Sequence, residues 1–199
     1  SLERLGTDHV DLWQVHVWSD EAPLEETLSA LDLAVTSGPA SYVGISNYSG
    51  WQTAQAATWQ EAVPGRTVLA STQVEYSLLN RRVEREVLPA AAALGLGVLP
   101  WSPLGRGVLT GKYRSGTPVD SRGASQVFAG FVEPYLEEPS GRVVESVARA
   151  ADGLGWTPLE VALVLRAYLE HDDLTAIDRT LPNGDRVLFV SLQAPKIPA

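Results

Sequence analysis

Between His9 and Ser102, short apolar segments alternate with longer amphipathic ones for three full rounds, and this alternation constrains the fold more than any other feature. HVDLWQVHV, SYVGIS, STQVEY and GVLPWS have the length and the β-branched and aromatic content of strands. APLEETLSALDLAVTSG sets Leu24, Leu28, Leu31 and Val35 on one helical face, with Glu25 and Glu26 in the first turn and Gly38 as terminator. SGWQTAQAATWQEA and RRVEREVLPAAAALG read as the next two helices. Such an order implies a parallel sheet with right-handed crossovers, either an open doubly wound sheet or a (β/α) barrel.

After the fourth strand a Gly- and Pro-rich loop runs from about Pro103 to Pro139. Two helices follow, SGRVVESVARAADGLG and TPLEVALVLRAYLEH, the second with Thr157 as N-cap and Pro158 at the first helical position. Asn183-Gly184, between DRTLP and DRVLFVSL, suits a type I′ hairpin turn. At the other end SLERLG reads as the last turn of a helix closed by Gly6. The chain opens on Ser1 and contains no Met, so the expectation is that something upstream is missing.

The composition excludes several function classes. The 199 residues carry 15 Lys plus Arg against 24 Asp plus Glu, a formal net charge of -9, which disfavours a nucleic-acid partner. Without cysteine there is neither a disulfide framework nor a cysteine-ligated metal, and no metal site is expected. No apolar run approaches the ~20 residues of a membrane span, and no signal-peptide pattern opens the chain. These features lead to the expectation of a soluble cytoplasmic protein with no membrane partner.

A doubly wound dinucleotide domain would carry G-x-G-x-x-G after a strand. The near match GRGVLTG, Gly105 to Gly111, has its glycines too widely spaced, and GVLTGK is one residue short of a phosphate loop and lacks the following Ser or Thr. A glycine-lined loop at a strand end still suits a phosphate cradle. The strand ends themselves are more informative. The first ends in His16, the second in Ser46-Asn47, the third carries Gln73 with Tyr76 beyond it, and the fourth ends in Trp101-Ser102. Each alone has an ordinary reading, His16 as a hydrogen-bonded core residue and the others as turn or cap residues. Together, at the C-terminal ends of barrel strands, they would suit a heteroaromatic ring bearing a carboxamide.

QVHVWSD, YVGISNYSGWQ, QVEYSLLNR and PWSPLGRGVLTGKYRSG resemble the corresponding stretches of the aldo-keto reductases, NADPH-dependent barrel oxidoreductases, in the branch that includes the potassium-channel β-subunit-like enzymes. The similarity runs from Ser1 to about Ala176, with 177–199 as a divergent tail. It implies a partial (β/α)8 barrel, roughly from the fourth strand onward, and reduction of aldehydes or ketones by hydride transfer from NADP(H). It implies that His16 is the active-site histidine that hydrogen-bonds the substrate carbonyl oxygen. Ser46, Asn47 and Gln73 would hold the nicotinamide carboxamide and Trp101 would stack on its ring. Ser102, Pro103, Leu104 and Gly105 would line the pyrophosphate, while Lys112 and Arg122 match the cationic residues near the phosphates and the adenosine end.

The family also supplies an Asp, a Tyr proton donor and a Lys from earlier strands, for which the chain from Ser1 onward holds no match. Tyr48 and Tyr76 are the tyrosines near the proposed mouth, and neither has a suitably spaced Lys. The tail LTAIDRTLPNGDRVLFVSLQAPKIPA departs from the family's last strand and Gly-x-Arg segment. The alternative expectation is therefore a non-catalytic remnant, or a cofactor-binding or interaction module. Open barrel edges would in either case favour self-association.

Overall fold

The computed structural model describes residues 2–170, 175–180 and 186–191. The described residues divide into two compact units, one of residues 2–76 and 80–101 and the other of residues 77–79 and the described residues from 102 onward.

The first unit is an α/β layer. A short helix α1 (Leu2–Leu5) leads into β1 (Val10–Val15), α2 (Leu24–Thr36), β2 (Ala40–Ser46), α3 (Gly50–Ala62) and β3 (Ser71–Glu75). A 3₁₀ turn at Arg82–Arg85, α4 (Val87–Ala93) and β4 (Gly97–Trp101) complete it. The four strands pair in the order β1-β2-β3-β4, all parallel. This is the strand–helix alternation expected of a partial (β/α)8 barrel.

Register explains why one sheet face is core and the other carries polar side chains. Val15 lies opposite Ile45, Ser46 opposite Gln73, and Glu75 opposite Trp101. Side chains alternate between faces along a strand. Val43 and Ile45, fully buried, therefore share a face and pack with Leu28 and Leu31 of α2, Ala56 and Ala57 of α3, and Ala91 of α4. Burying each such Leu or Ile contributes roughly 1.5–3 kcal/mol. Leu24 and Val35 flank that cluster as partly buried residues, as the helical spacing of α2 predicts.

The opposite face holds Gln14, Gly44, Ser71 and Gly97 in one row. Gln14 Nε2 crosses β2 to donate to Ser71 Oγ at 3.1 Å and to the Ile45 carbonyl at 3.3 Å. Only glycine permits that crossing: a Cβ on residue 44 would fall 2.5 Å from Ser71 Oγ and 2.7 Å from its carbonyl oxygen. The same face carries Tyr42 and Leu99, both exposed, and β1 and β4 are the outer strands.

One expected element is corrected. RRVEREVLPAAAALG is not one helix; it breaks at Glu86, where φ is -135°, into a 3₁₀ turn and α4. Pro89 is the reason. Its ring would clash with the carbonyl four residues earlier, at Arg85, and it has no N–H to donate there, so the α-helix starts at Val87 with Pro89 in its first turn.

The second unit is helical where the long loop was expected. It contains a 3₁₀ segment at Gly105–Thr110, a 3₁₀ turn at Arg122–Ala124, α5 (Ala129–Val132) and a further 3₁₀ turn at Glu133–Tyr135. Helices α6 (Ser140–Leu154) and α7 (Pro158–Glu170) follow. Val144, Val147 and Ala151 of α6 pack with Val161 and Ala162 of α7 and with Val108, Leu109 and Val132. Thr157 caps α7: Glu160 N–H donates to its hydroxyl, and the Glu160 carboxylate accepts from the Thr157 N–H at 2.7 Å. The Thr157 N–H, and then the Thr157 hydroxyl donating to the same carboxylate, hold the Glu160 carboxyl below its usual range. Beyond α7, β5 (Thr175–Thr180) and β6 (Arg186–Ser191) pair antiparallel, as the hairpin reading requires. Its Asn183-Gly184 turn lies outside the described residues.

Asp32 of α2 ties that helix to the segment after α3. Its carboxylate accepts from Gln60 Nε2 at 2.9 Å and from the Thr67 N–H at 2.8 Å, and pairs with Arg66 at 3.2 Å. Gln60 itself is 1% exposed, so these groups compete little with water. Asp32→Ala takes the acceptor from the Thr67 N–H and from one Gln60 N–H and should lower stability by about 1–3 kcal/mol. The check is a fall in the urea midpoint at unchanged m value; a loss below about 0.5 kcal/mol would show that the network contributes nothing net.

Candidate functional site

The C-terminal end of the four-stranded sheet brings together His16, Ser46, Asn47, Gln73 and Trp101. Asn47 organises them. Its backbone is left-handed, φ +58°, a conformation that Asn tolerates better than most residues. In that conformation its N–H donates to the Gln73 carbonyl at 2.8 Å. Its Nδ2 donates to the His16 carbonyl at 2.9 Å and to Ser46 Oγ at 3.0 Å. Its Oδ1 accepts from Trp101 Nε1 at 2.8 Å. One residue on β2's end thus reaches the ends of β1, β3 and β4.

Ser46 is buried, and its hydroxyl donates to the Gln73 carbonyl at 2.9 Å. The Gln73 side-chain amide, on the same row, makes no hydrogen bond among the described residues. His16 is exposed. Its backbone carbonyl is fixed by Asn47 while the ring remains accessible. The site also depends on Gln14, which the sequence reading passed over. It lies two residues before His16, on the same face, and braces the row beneath. Its signal was the parity shared with His16, but its partner Ser71 emerges only from the register.

Neither nearby tyrosine offers an available phenol. Tyr76 is fully buried and donates to Glu84 Oε1 at 2.9 Å. Glu84 is held in turn by Arg81, whose hydrogen bonds keep the Glu84 carboxyl below its usual range. Tyr48 is buried with its ring edge-on to Trp18, centroids 5.2 Å apart, and burial pushes its phenol up. Trp18 also meets the exposed Trp51, at 5.4 Å.

The second unit holds a cleft of about 360 Å³ lined by Ser102, Pro103, Leu104, Arg106, Gly107, Lys112 and Arg122. Five residues of the expected set line it. Gly105 does not, because it is buried against Leu79, where a Cβ would fall 2.7 Å from a Leu79 methyl. Arg106 and Gly107 are additions to that set. Ser102, Gly105, Arg106 and Gly107 all have left-handed φ, between +49° and +93°. Such backbone is costly, cheapest at glycine, and concentrates where a chain must shape itself around a ligand.

The four cations of this region differ in their engagements. Arg106 stacks over Phe131 at 3.9 Å and Tyr135 at 4.8 Å and donates to the Phe131 carbonyl. Arg114 forms a two-pronged pair with Glu145, both bonds 3.0 Å. Lys112 and Arg122 are exposed and have no carboxylate partner among the described residues. In a chain of net charge -9, two such cations beside one cleft form a locally electropositive spot fit for an anion. Among the described residues no group of three His, Asp or Glu is placed to hold a metal ion, and no helix is long and apolar enough to cross a membrane.

Residues 1–168 match the family model described as the Aldo/keto reductase family. The uncharacterized oxidoreductase YrpG of Bacillus subtilis (strain 168) is 47% identical over 113 residues, covering 56% of this chain and 34% of the relative. A protein of Oryza sativa subsp. japonica described as a probable voltage-gated potassium channel subunit beta is 37% identical over 168 residues, 82% of this chain and 50% of the relative. L-glyceraldehyde 3-phosphate reductase of Escherichia coli (strain K12) is 42% identical over 127 residues, 61% of this chain and 35% of the relative. The matched stretches thus cover half or less of these relatives' own lengths. With a family model matching most of its length and a parallel α/β sheet whose strand ends carry the expected polar residues, the chain belongs to the aldo/keto reductase family.

Proposed function

We propose that this chain contributes the NADP(H) site and the carbonyl-polarising histidine of an oxidoreductase that reduces aldehydes or ketones to alcohols. The observation that carries the reading is the end of the sheet, where an accessible His16, the unengaged Gln73 amide and the braced Trp101 ring lie on one face. The donor set fits a nicotinamide carboxamide. Gln73 offers both N–H donors and a carbonyl acceptor, and Asn47 Oδ1 retains a second lone pair beside its bond to Trp101. Asn47 Nδ2 is already committed to His16 and Ser46, so its part is to brace as well as to bind. The cleft residues Ser102, Pro103 and Leu104 suit the pyrophosphate, with Lys112 and Arg122 for an adenosine phosphate.

When bound, the cofactor supplies hydride. The residues of this chain supply position and electrostatics. Reduction of a carbonyl builds negative charge on its oxygen, and a hydrogen bond from the His16 ring, whose backbone Asn47 holds in place, lowers the cost of that charge. Trp101 presents a flat surface whose orientation is set through Nε1. A small-molecule carbonyl compound is the substrate class. A cytoplasmic location and self-association through the β1 and β4 edges belong to the same reading.

A second reading concerns catalysis by residues 1–199 on their own. Tyr48 and Tyr76 are buried, and the Tyr76 hydroxyl is engaged by Glu84, which favours a chain that binds cofactor without a proton donor. General acid catalysis typically contributes ~10²–10⁴-fold. With NADPH and 4-nitrobenzaldehyde, residues 1–199 should therefore show no measurable reduction. Turnover that is abolished by His16→Ala would overturn this.

Two binding experiments test the cofactor assignment. NADPH should quench tryptophan fluorescence, and Trp101→Leu should remove most of that response; an unchanged titration in the variant would place the ring elsewhere. Arg122→Ala should weaken NADPH about 5- to 20-fold while changing NADH little, because a charge-assisted bond to the extra phosphate is lost. Equal losses for both cofactors would remove Arg122 from the phosphate site.

A further inference from the structure

Tyr113 follows Lys112 and lies outside the cleft lining. Its ring sits beneath the Lys112 ammonium, with Nζ 5.2 Å from the ring centroid, inside the range of a cation–π contact. Its hydroxyl oxygen accepts a hydrogen bond from the Gly123 N–H at 3.2 Å. Gly123 is the neighbour of Arg122 within the short 3₁₀ turn Arg122–Ala124. The contact is close enough to demand glycine, since a Cβ on residue 123 would fall 2.8 Å from Tyr113 Cε1. One side chain therefore touches both of the segments that carry the cleft's carboxylate-free cations.

Two neighbouring features fix this arrangement in place. Arg114, the next residue, is anchored by its two-pronged bond to Glu145 of α6, and the Tyr113 ring packs at the border of the second unit's apolar core. The electrostatics agree. Burial pushes the phenol up, but hydrogen bonds with Ser121 and Gly123 and the Lys112 charge outweigh it and leave the phenol below its usual range.

We propose that Tyr113 is a positioning residue that sets the spacing of Lys112 and Arg122, and so lets the cleft prefer a cofactor bearing an adenosine 2′-phosphate to one bearing the free hydroxyl. The inference rests on the NADP(H) reading above. A phosphate bridging two cationic donors binds better when their separation is fixed in advance. Both of these cations are on flexible stems at the surface, where ordering a side chain costs entropy. A ring under one and a hydrogen bond beside the other reduce that cost before the ligand arrives, and a hydroxyl in the same place gains little from it.

The test uses residues 1–199 and measures Kd for NADPH and for NADH in parallel. Tyr113→Phe keeps the ring and its packing but removes the hydrogen bonds of the hydroxyl with Gly123 and Ser121, and should weaken NADPH about fivefold. Tyr113→Leu also removes the cation–π contact and should weaken it about tenfold or more. NADH should stay within twofold in both variants. Gly123→Ala, which crowds the ring from the other side without altering Tyr113, should reproduce the loss of preference and covers the case in which a Tyr113 variant fails to fold. A merely structural tyrosine would weaken both cofactors alike, and that result, or an unaltered NADPH to NADH ratio in well-folded variants, overturns the proposal. An unsubstituted chain that binds neither cofactor would instead remove the NADP(H) reading, and this inference with it.

Discussion

Asn47, through its backbone N–H and its side-chain amide together, is the hinge on which the sheet end depends. Parallel strands are linked only by slanted backbone bonds, and these stop where the strands stop. Past that point, nothing in the ladder keeps the following residues in line. Asn47 extends the alignment by one residue in every direction, with its N–H on β3's Gln73, its amide nitrogen on the residue after β1, and its amide oxygen on the indole that ends β4. No hydrophobic residue could do this. The candidate chemistry at His16, Gln73 and Trp101 sits on groups that Asn47 has already placed.

Beneath that layer the same face is built from an opposite principle. Gly44 contributes absence: the missing side chain is the channel through which Gln14 reaches Ser71. Small residues in this row let a polar side chain run across the sheet rather than stand up from it. The upper row then holds side chains that stand up and can meet a ligand. The helix-covered face has neither device: Val43 and Ile45 pack there against Leu and Ala side chains of the helices.

Much of this was legible in the residues. Strands and helices announce themselves by different periods, so the order of elements in the first unit follows directly from hydrophobic spacing. His16, Ser46, Gln73 and Trp101 were visible as polar or aromatic residues at the ends of apolar runs, a local signal. What was not legible depended on partners far along the chain. Gln14 acquires meaning only once the register places Gly44 and Ser71 beside it. The break at Glu86 needed the steric effect of Pro89 to outweigh a convincing helical pattern. Arg106 looked like one more loop cation. Its stacking on Phe131 and Tyr135, 25 and more residues later, sets it apart from Lys112 and Arg122.

The left-handed backbone at Asn47 and Ser102 has a further consequence, for how these positions can vary. Each lies directly after a strand, β2 and β4, and each turns the chain with φ near +50° to +60°. Such a conformation admits glycine, asparagine and aspartate and penalises β-branched residues. Substitution at either position is therefore filtered twice, first by whether the backbone can turn and only then by whether the side chain can bind. Invariance at positions 47 and 102 across related chains would measure the first filter at least as much as the second, whereas invariance at Gln73 and Trp101, which lie in ordinary strands, would be a cleaner record of ligand selection.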